Sequence, residues 1–104
     1  MIGITAYGAY LPRARLQKQV IADANAWFDS GLRGLAKGEK AMCNWDEDTI
    51  TMATEAFADA MGRAPGQTLA AVILASTSLP FADRQNSVVL AEAMNLDTTN
   101  LRTM

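Results

Sequence analysis

The chain contains no histidine and a single cysteine, Cys43. Without imidazole, Ser/His and Cys/His dyads and every histidine-based metal site are excluded. The chemistry open to the 104 residues is confined to carboxylates, amines, hydroxyls and one thiol. One cysteine forms no internal disulfide, which fits a reducing compartment. Long apolar runs are missing too, and nothing approaches the roughly 20 residues of a membrane span. The opening MIGITAYGAYLPRARL has glycine and polar breaks where a secretory leader needs an uninterrupted apolar run, so the expected compartment is cytoplasmic. Strong charge of either sign is also absent. A formal net charge of -2 gives no electrostatic reason to expect nucleic acid or a membrane surface as partner. The one local basic excess is a loose cluster at Arg33, Lys37 and Lys40.

What is present is the composition of a globular chain, 50% hydrophobic and 19% charged, with room for one small domain over 1–104 and no second domain. Residues 2–9, IGITAYGA, have the β-branched and aromatic content of a short strand that ends before Pro12. Leu16, Val20, Ala24, Trp27 and Phe28 recur at helical spacing and predict an amphipathic helix over 16–28. The stretch 29–45, with three glycines, reads as a structured loop with at most a helical turn, long enough to cover a ligand.

Asp46, Glu47 and Asp48 precede a new apolar period at Ile50, Ala53, Phe57, Ala60 and Met61, which predicts a helix over 47–62 stopped by Gly62, Pro65 and Gly66. Consecutive carboxylates at a helix start point in different directions, so helix capping is the better reading of that run than a metal cluster. Residues 69–76, LAAVILAS, form a continuous apolar run, the pattern of a strand buried on both faces of a parallel sheet. A polar turn follows, then a short helix over 87–95 that starts nearer Arg84, with Asp83 and Arg84 expected to cap and pair at its entrance. The closing LRTM resembles another strand beginning.

The order strand, helix, helix, strand, helix, strand start predicts an α/β fold: a βαβα segment with parallel strands. Two such strands under two or three helices make a poor independent core. The core is therefore expected to be incomplete without further chain or a partner.

Three blocks, GITAYGAYLPRARL, NWDEDTITMATEA and ILASTSLPFADRQNSVVLAEAMNL, together resemble the amino-terminal part of the 3-hydroxy-3-methylglutaryl-CoA synthase family, most of all its archaeal and bacterial branch. Ketoacyl-acyl carrier protein synthase III is a more distant likeness. The acidic DED followed by TxTMAxEA is the most specific block, and none of the blocks is a catalytic signature. The resemblance implies part of a thiolase-like fold, a homo-oligomer in the form of a dimer across the sheet edge, and acyl transfer from a coenzyme A thioester, the acyl-CoA substrate, through a cysteine thioester. It implies no metal and no covalently bound cofactor. In relatives that cysteine lies in a D-x-x-x-x-C segment beyond the point where this chain ends, with histidine and asparagine later still. The chain alone is therefore expected to be inactive.

One functional position of the family falls inside the chain. In the synthases a glutamate at the end of the second strand acts as general acid/base, and aligned on Pro80 that position is Thr77. A hydroxyl does not serve as acid/base near neutral pH, and ketoacyl synthases also carry threonine there. The departure turns the expectation from hydroxymethylglutaryl-CoA synthesis toward a decarboxylative or other Claisen-type condensation, or a thiolase-like reaction. Thr77 either positions a thioester carbonyl or a water, or satisfies a backbone group at a strand end. The resemblance also suggests coenzyme A contacts. Trp27 would cover the adenine near the entrance, against the plainer role of anchoring the first helix, and Arg33, Lys37 and Lys40 would meet the phosphates, against the plainer role of solvated loop charges. Cys43 is read as an inert thiol, and Phe81 as lining either an acyl tunnel or a dimer interface. The alternative reading of the whole is a non-catalytic scaffold or split-enzyme subunit that supplies sheet and interface to a partner. The remainder of the same enzyme and a zinc-ribbon/OB-fold protein are the candidate partners.

Overall fold

A computed structural model describes residues 2–104, which fall into two compact units. One unit is formed by residues 2–10 together with Glu47–Met104, and the other by Leu11–Asp46.

In the unit of Leu11–Asp46, β1 (Ala14–Gln17) runs directly into helix α1 (Lys18–Asn25), and a 3-10 turn (Ser30–Leu35) leads to β2 (Glu39–Met42). The strands pair antiparallel in the register Ala14 with Met42 through Gln17 with Glu39, and the Gln17 amide donates to the Glu39 carboxylate at 2.5 Å. Gly38, with φ +89, turns the chain into β2 and accepts from the Lys18 N–H at 2.9 Å. A side chain is strained in that conformation, so glycine suits the corner. The 3-10 turn starts at Asp29, whose carboxylate accepts from the Gly31 N–H at 2.8 Å.

This ladder corrects two expectations. The loop over 29–45 contains a strand, and the helix expected over 16–28 is shorter at both ends. Leu16 sits in β1 opposite Lys40, while Trp27 and Phe28 lie past the helix end, 84% and 80% exposed. The Asn25 carbonyl accepts from the N–H groups of Phe28 and Asp29, and the Asn25 side chain donates to the Ile21 carbonyl at 2.8 Å, which ends the helix there. Val20 and Ala24 are exposed as well, and the residue that α1 buries is Ala22.

In the other unit, helix α2 (Thr49–Arg63) is the longest element. Asp48 caps it as expected. Its carboxylate accepts from the Thr51 N–H at 2.9 Å while the Thr51 hydroxyl accepts from the Asp48 N–H at 2.7 Å, a complete capping box. After Gly66 come β3 (Ala71–Val72), helix α3 (Asn86–Ala93) and β4 (Arg102–Thr103). β3 and β4 are parallel, as expected, and their hydrogen bonds reach beyond the paired residues: Arg102 N–H to Ala70, Met104 N–H to Val72 and Leu74 N–H to Met104. The strand expected over 69–76 is thus shortened to the part that finds a neighbour. Helix α3 ends in a Schellman motif. Asn95 takes φ 51, its N–H reaches the Glu92 carbonyl and the Leu96 N–H reaches that of Ala91. The core of this unit consists of Ile50, Val72, Leu90 and Ala91.

Residues 2–9 form no strand, because both ladders among the described residues use other segments. Only its end, at Tyr7, Gly8 and Ala9, meets α2. A Cβ at Gly8 would stand 2.4 Å from the Ala60 nitrogen and 2.5 Å from the Ala56 carbonyl oxygen, so only glycine permits this approach. The Ala9 N–H donates to Asp59 at 3.2 Å, Arg63 pairs with Asp59 and covers the Tyr7 ring, and the Tyr10 hydroxyl donates to Glu47. The Ala9 N–H, and next the Arg63 guanidinium, hold the Asp59 carboxyl below its ordinary value. Ile2 and Ile4 stay almost wholly exposed.

Candidate functional site

Thr77 lies at a bend just past the carboxyl end of β3, with its side chain exposed. Sequence local to the bend makes it. The Ser78 N–H donates to Ser76 Oγ at 3.1 Å, a hydroxyl-closed turn that brackets Thr77. Thr49, the first residue of α2, donates its hydroxyl to the Ser78 carbonyl at 2.9 Å, which ties the bend to the capped helix end. Among the described residues no hydrogen bond engages the Thr77 hydroxyl. It is therefore available to a ligand, both as one donor and as an acceptor.

The loop that follows is fixed by Asn86, a residue that inspection of the sequence did not single out. Its side chain accepts from the Phe81 N–H at 3.1 Å and donates to the Phe81 carbonyl at 2.9 Å, and it is buried. A buried amide that bonds one residue in both directions holds the backbone much as a strand neighbour would. Asp83 and Arg84 pair at 3.5 Å, as expected, but neither caps α3, whose N-cap Gln85 makes no side-chain capping bond and instead bonds Thr103. Arg84 lies 4.8 Å from the centre of the Phe81 ring, a cation–π contact on the exposed side of the loop.

In the unit of Leu11–Asp46, Trp27 and Phe28 meet edge to face with ring centres 5.9 Å apart. Trp27 does not anchor α1, and its indole is open to solvent. Arg33 closes the 3-10 turn, Lys37 follows it and Lys40 lies on β2, all exposed. No ion pair engages these three among the described residues. Cys43 is exposed.

A shallow cleft of about 330 Å³, lined by Gln67, Thr68, Leu69, Leu96, Asp97, Asn100 and Leu101, opens at the amino ends of β3 and β4. Ligands of parallel α/β sheets bind outside the carboxyl ends of the strands, which favours the Thr77 end over this cleft. The Asp97 carboxyl there is held below its ordinary value by the Thr99 hydroxyl and N–H, the bonds of a local turn. Among the described residues no helix is long and apolar enough to cross a membrane.

No protein-family model matches the chain. In sequence it is 38% identical over 100 residues to the hydroxymethylglutaryl-CoA synthase of Methanobrevibacter smithii, a match that covers 91% of the chain and 28% of that relative. The enzyme of the same name from Methanocaldococcus jannaschii is 39% identical over 98 residues, with 91% of the chain and 28% of the relative covered. That of Caldivirga maquilingensis is 39% identical over 102 residues, with 92% and 28% covered. The chain thus spans little more than a quarter of the length of the curated relatives it matches. In structure it is similar to the β-ketoacyl-[acyl carrier protein] synthase III of Thermus thermophilus, with a TM-score of 0.74 and 22% identity over 99% of the chain and 32% of that protein. At that identity the likeness bears on fold alone. In sequence the chain resembles hydroxymethylglutaryl-CoA synthases, and its fold is that of part of a thiolase-like α/β domain.

Proposed function

We propose that the chain is the substrate-facing amino-terminal part of an acyl-CoA condensing enzyme. That enzyme is an acyltransferase that makes carbon–carbon bonds through a cysteine thioester carried by sequence outside these 104 residues. The observation that carries the reading is the similarity to hydroxymethylglutaryl-CoA synthases along nine-tenths of the chain. The open hydroxyl of Thr77 supports it, at the carboxyl end of a parallel strand where those enzymes hold their glutamate. A hydroxyl there donates a hydrogen bond to a thioester carbonyl but does not shuttle a proton near neutral pH, which favours a decarboxylative or other Claisen-type condensation over glutamate-dependent synthesis.

The exposed indole of Trp27 and the exposed cations Arg33, Lys37 and Lys40 suit the adenine and phosphates of coenzyme A, a flat ring beside a diphosphate. The chain by itself has no acylation step. Its one thiol, Cys43, has no histidine to activate it, because the sequence contains none. Incubation with labelled acetyl-CoA followed by intact-mass measurement tests this. An unchanged mass is expected, and stable acylation at any residue would refute it.

A second reading has an observation of its own. Ile2, Ile4, Leu11, Trp45 and Ile73 are exposed by two-thirds or more, apolar surface of the kind a partner covers. On that reading the chain is a scaffold or split-enzyme subunit, and its partner is the remainder of the enzyme, a second copy or a zinc-ribbon/OB-fold protein. Copurification from native cells distinguishes the two readings.

A further inference from the structure

The hydroxyls around Thr77 can be followed proton by proton. The Thr49 hydroxyl has one proton, and it points to the Ser78 carbonyl at 2.9 Å. The contact between Thr49 Oγ1 and Ser78 Oγ at 3.1 Å must then be donated by Ser78. With that proton used, the 3.3 Å contact between Ser76 Oγ and Ser78 Oγ is donated by Ser76. Ser76 Oγ in turn accepts the Ser78 N–H at 3.1 Å. Each of the three hydroxyls thus donates once and accepts once, in a one-directional chain whose bonds polarise one another. The chain encloses the peptide on either side of Thr77 and leaves the Thr77 hydroxyl out. Its only member outside the bend is Thr49, held in place by the Asp48–Thr51 capping box and by its buried neighbour Ile50.

We propose that Thr49 is a positioning residue for Thr77. It transmits the fixed start of α2 through Ser78 and Ser76 to the bend, and so sets the direction in which Thr77 offers its hydroxyl to the carbonyl oxygen of an acyl thioester. This rests on the reading of Thr77 given above, and the test separates the two.

In the isotope-labelled chain, Thr49→Val keeps the β-branched shape and removes the hydroxyl, whereas Thr49→Ser keeps the hydroxyl. Thr49→Val should speed exchange of the Ser78 amide ~5-fold and average the Thr77 χ1 coupling, as expected for loss of one hydrogen bond of ordinary net strength. Thr49→Ser should leave both near wild type. Ser78→Ala, which opens the chain of bonds from the other side, should reproduce Thr49→Val, with the α2 amides unchanged in each variant as a check on folding. With acetyl-CoA as probe, the Thr77 methyl resonance should shift in the wild type and Thr49→Ser, and the apparent Kd should rise ~5-fold in Thr49→Val. Unchanged Ser78 exchange and Thr77 χ1 in Thr49→Val overturns the proposal, and so does equal disruption by Thr49→Ser. If the bend responds as expected but acetyl-CoA never shifts Thr77 in the wild type, the placement of Thr77 by Thr49 stands and the thioester reading falls.

Discussion

The unit of residues 2–10 and Glu47–Met104 closes around Ile50, Val72, Leu90 and Ala91, whereas the unit Leu11–Asp46 buries a single side chain, Ala22. The first is held by side chains that leave water. The second is held by a four-residue ladder, a carboxylate at the start of a 3-10 turn and one glycine corner, while its aromatic side chains stay exposed. Burial of apolar area is the main source of stability, and net gains from exposed hydrogen bonds are small. Order in the second unit is therefore the less costly to lose. It is also the unit with the exposed Trp27 indole and the cations Arg33, Lys37 and Lys40, so the coenzyme A contacts we propose lie in the region of least core.

That contrast can be broken most sharply at Leu90, 3% exposed in α3. Leu90→Ala should lower unfolding stability by ~2–4 kcal/mol in a urea titration, through lost burial and the cavity left behind. A loss below a few tenths would mean that the larger unit has no working core. Next is Gly8→Ala. Its methyl would press on the backbone of Ala56 and Ala60, which cannot yield as a side-chain tip does, and ~1–3 kcal/mol of overpacking is expected. Amide exchange should locate the loss in residues 2–10 first.

The Asp59 contact predicts a smaller, pH-dependent effect. Its carboxyl is held below the ordinary value of 3.8, so the stabilisation it gives is present above that value and is lost as pH falls through the lowered one. The Ala9 amide resonance should follow this titration at acid pH and become flat in Asp59→Asn. Smallest is Trp27→Ala, which should change stability by less than ~0.5 kcal/mol in a thermal melt, because the indole is exposed. A loss of several kcal/mol would instead make Trp27 a core anchor and erase the contrast between the units.

The sequence disclosed what is local or strongly periodic. Helix α2 was legible from Asp48 at its start and from Pro65 and Gly66 beyond its end, although Gly62, expected to stop it, lies inside the helix; α3 was legible from its apolar run, and the parallel pairing of β3 with β4 from the βαβ order. Long-range choices were hidden. IGITAYGA has strand composition, but a strand needs a neighbour, and these residues meet a helix instead, at a glycine whose role depends on Ala56 and Ala60 some fifty positions away. Leu16 fitted a helical period and was taken by a ladder whose partner, Lys40, carries no strand signal. Thr77 was singled out only through the resemblance, by alignment on Pro80. The hydroxyls that hold it were not, because Thr49 and Ser78 are 29 residues apart and neither stands out alone.

Native-state hydrogen exchange on the whole chain tests most directly whether its core is partial. Protection should concentrate in α2, α3 and the β3–β4 ladder and be weak through residues 2–9 and 18–45. Uniform, strong protection throughout, from a stable monomer, would contradict it.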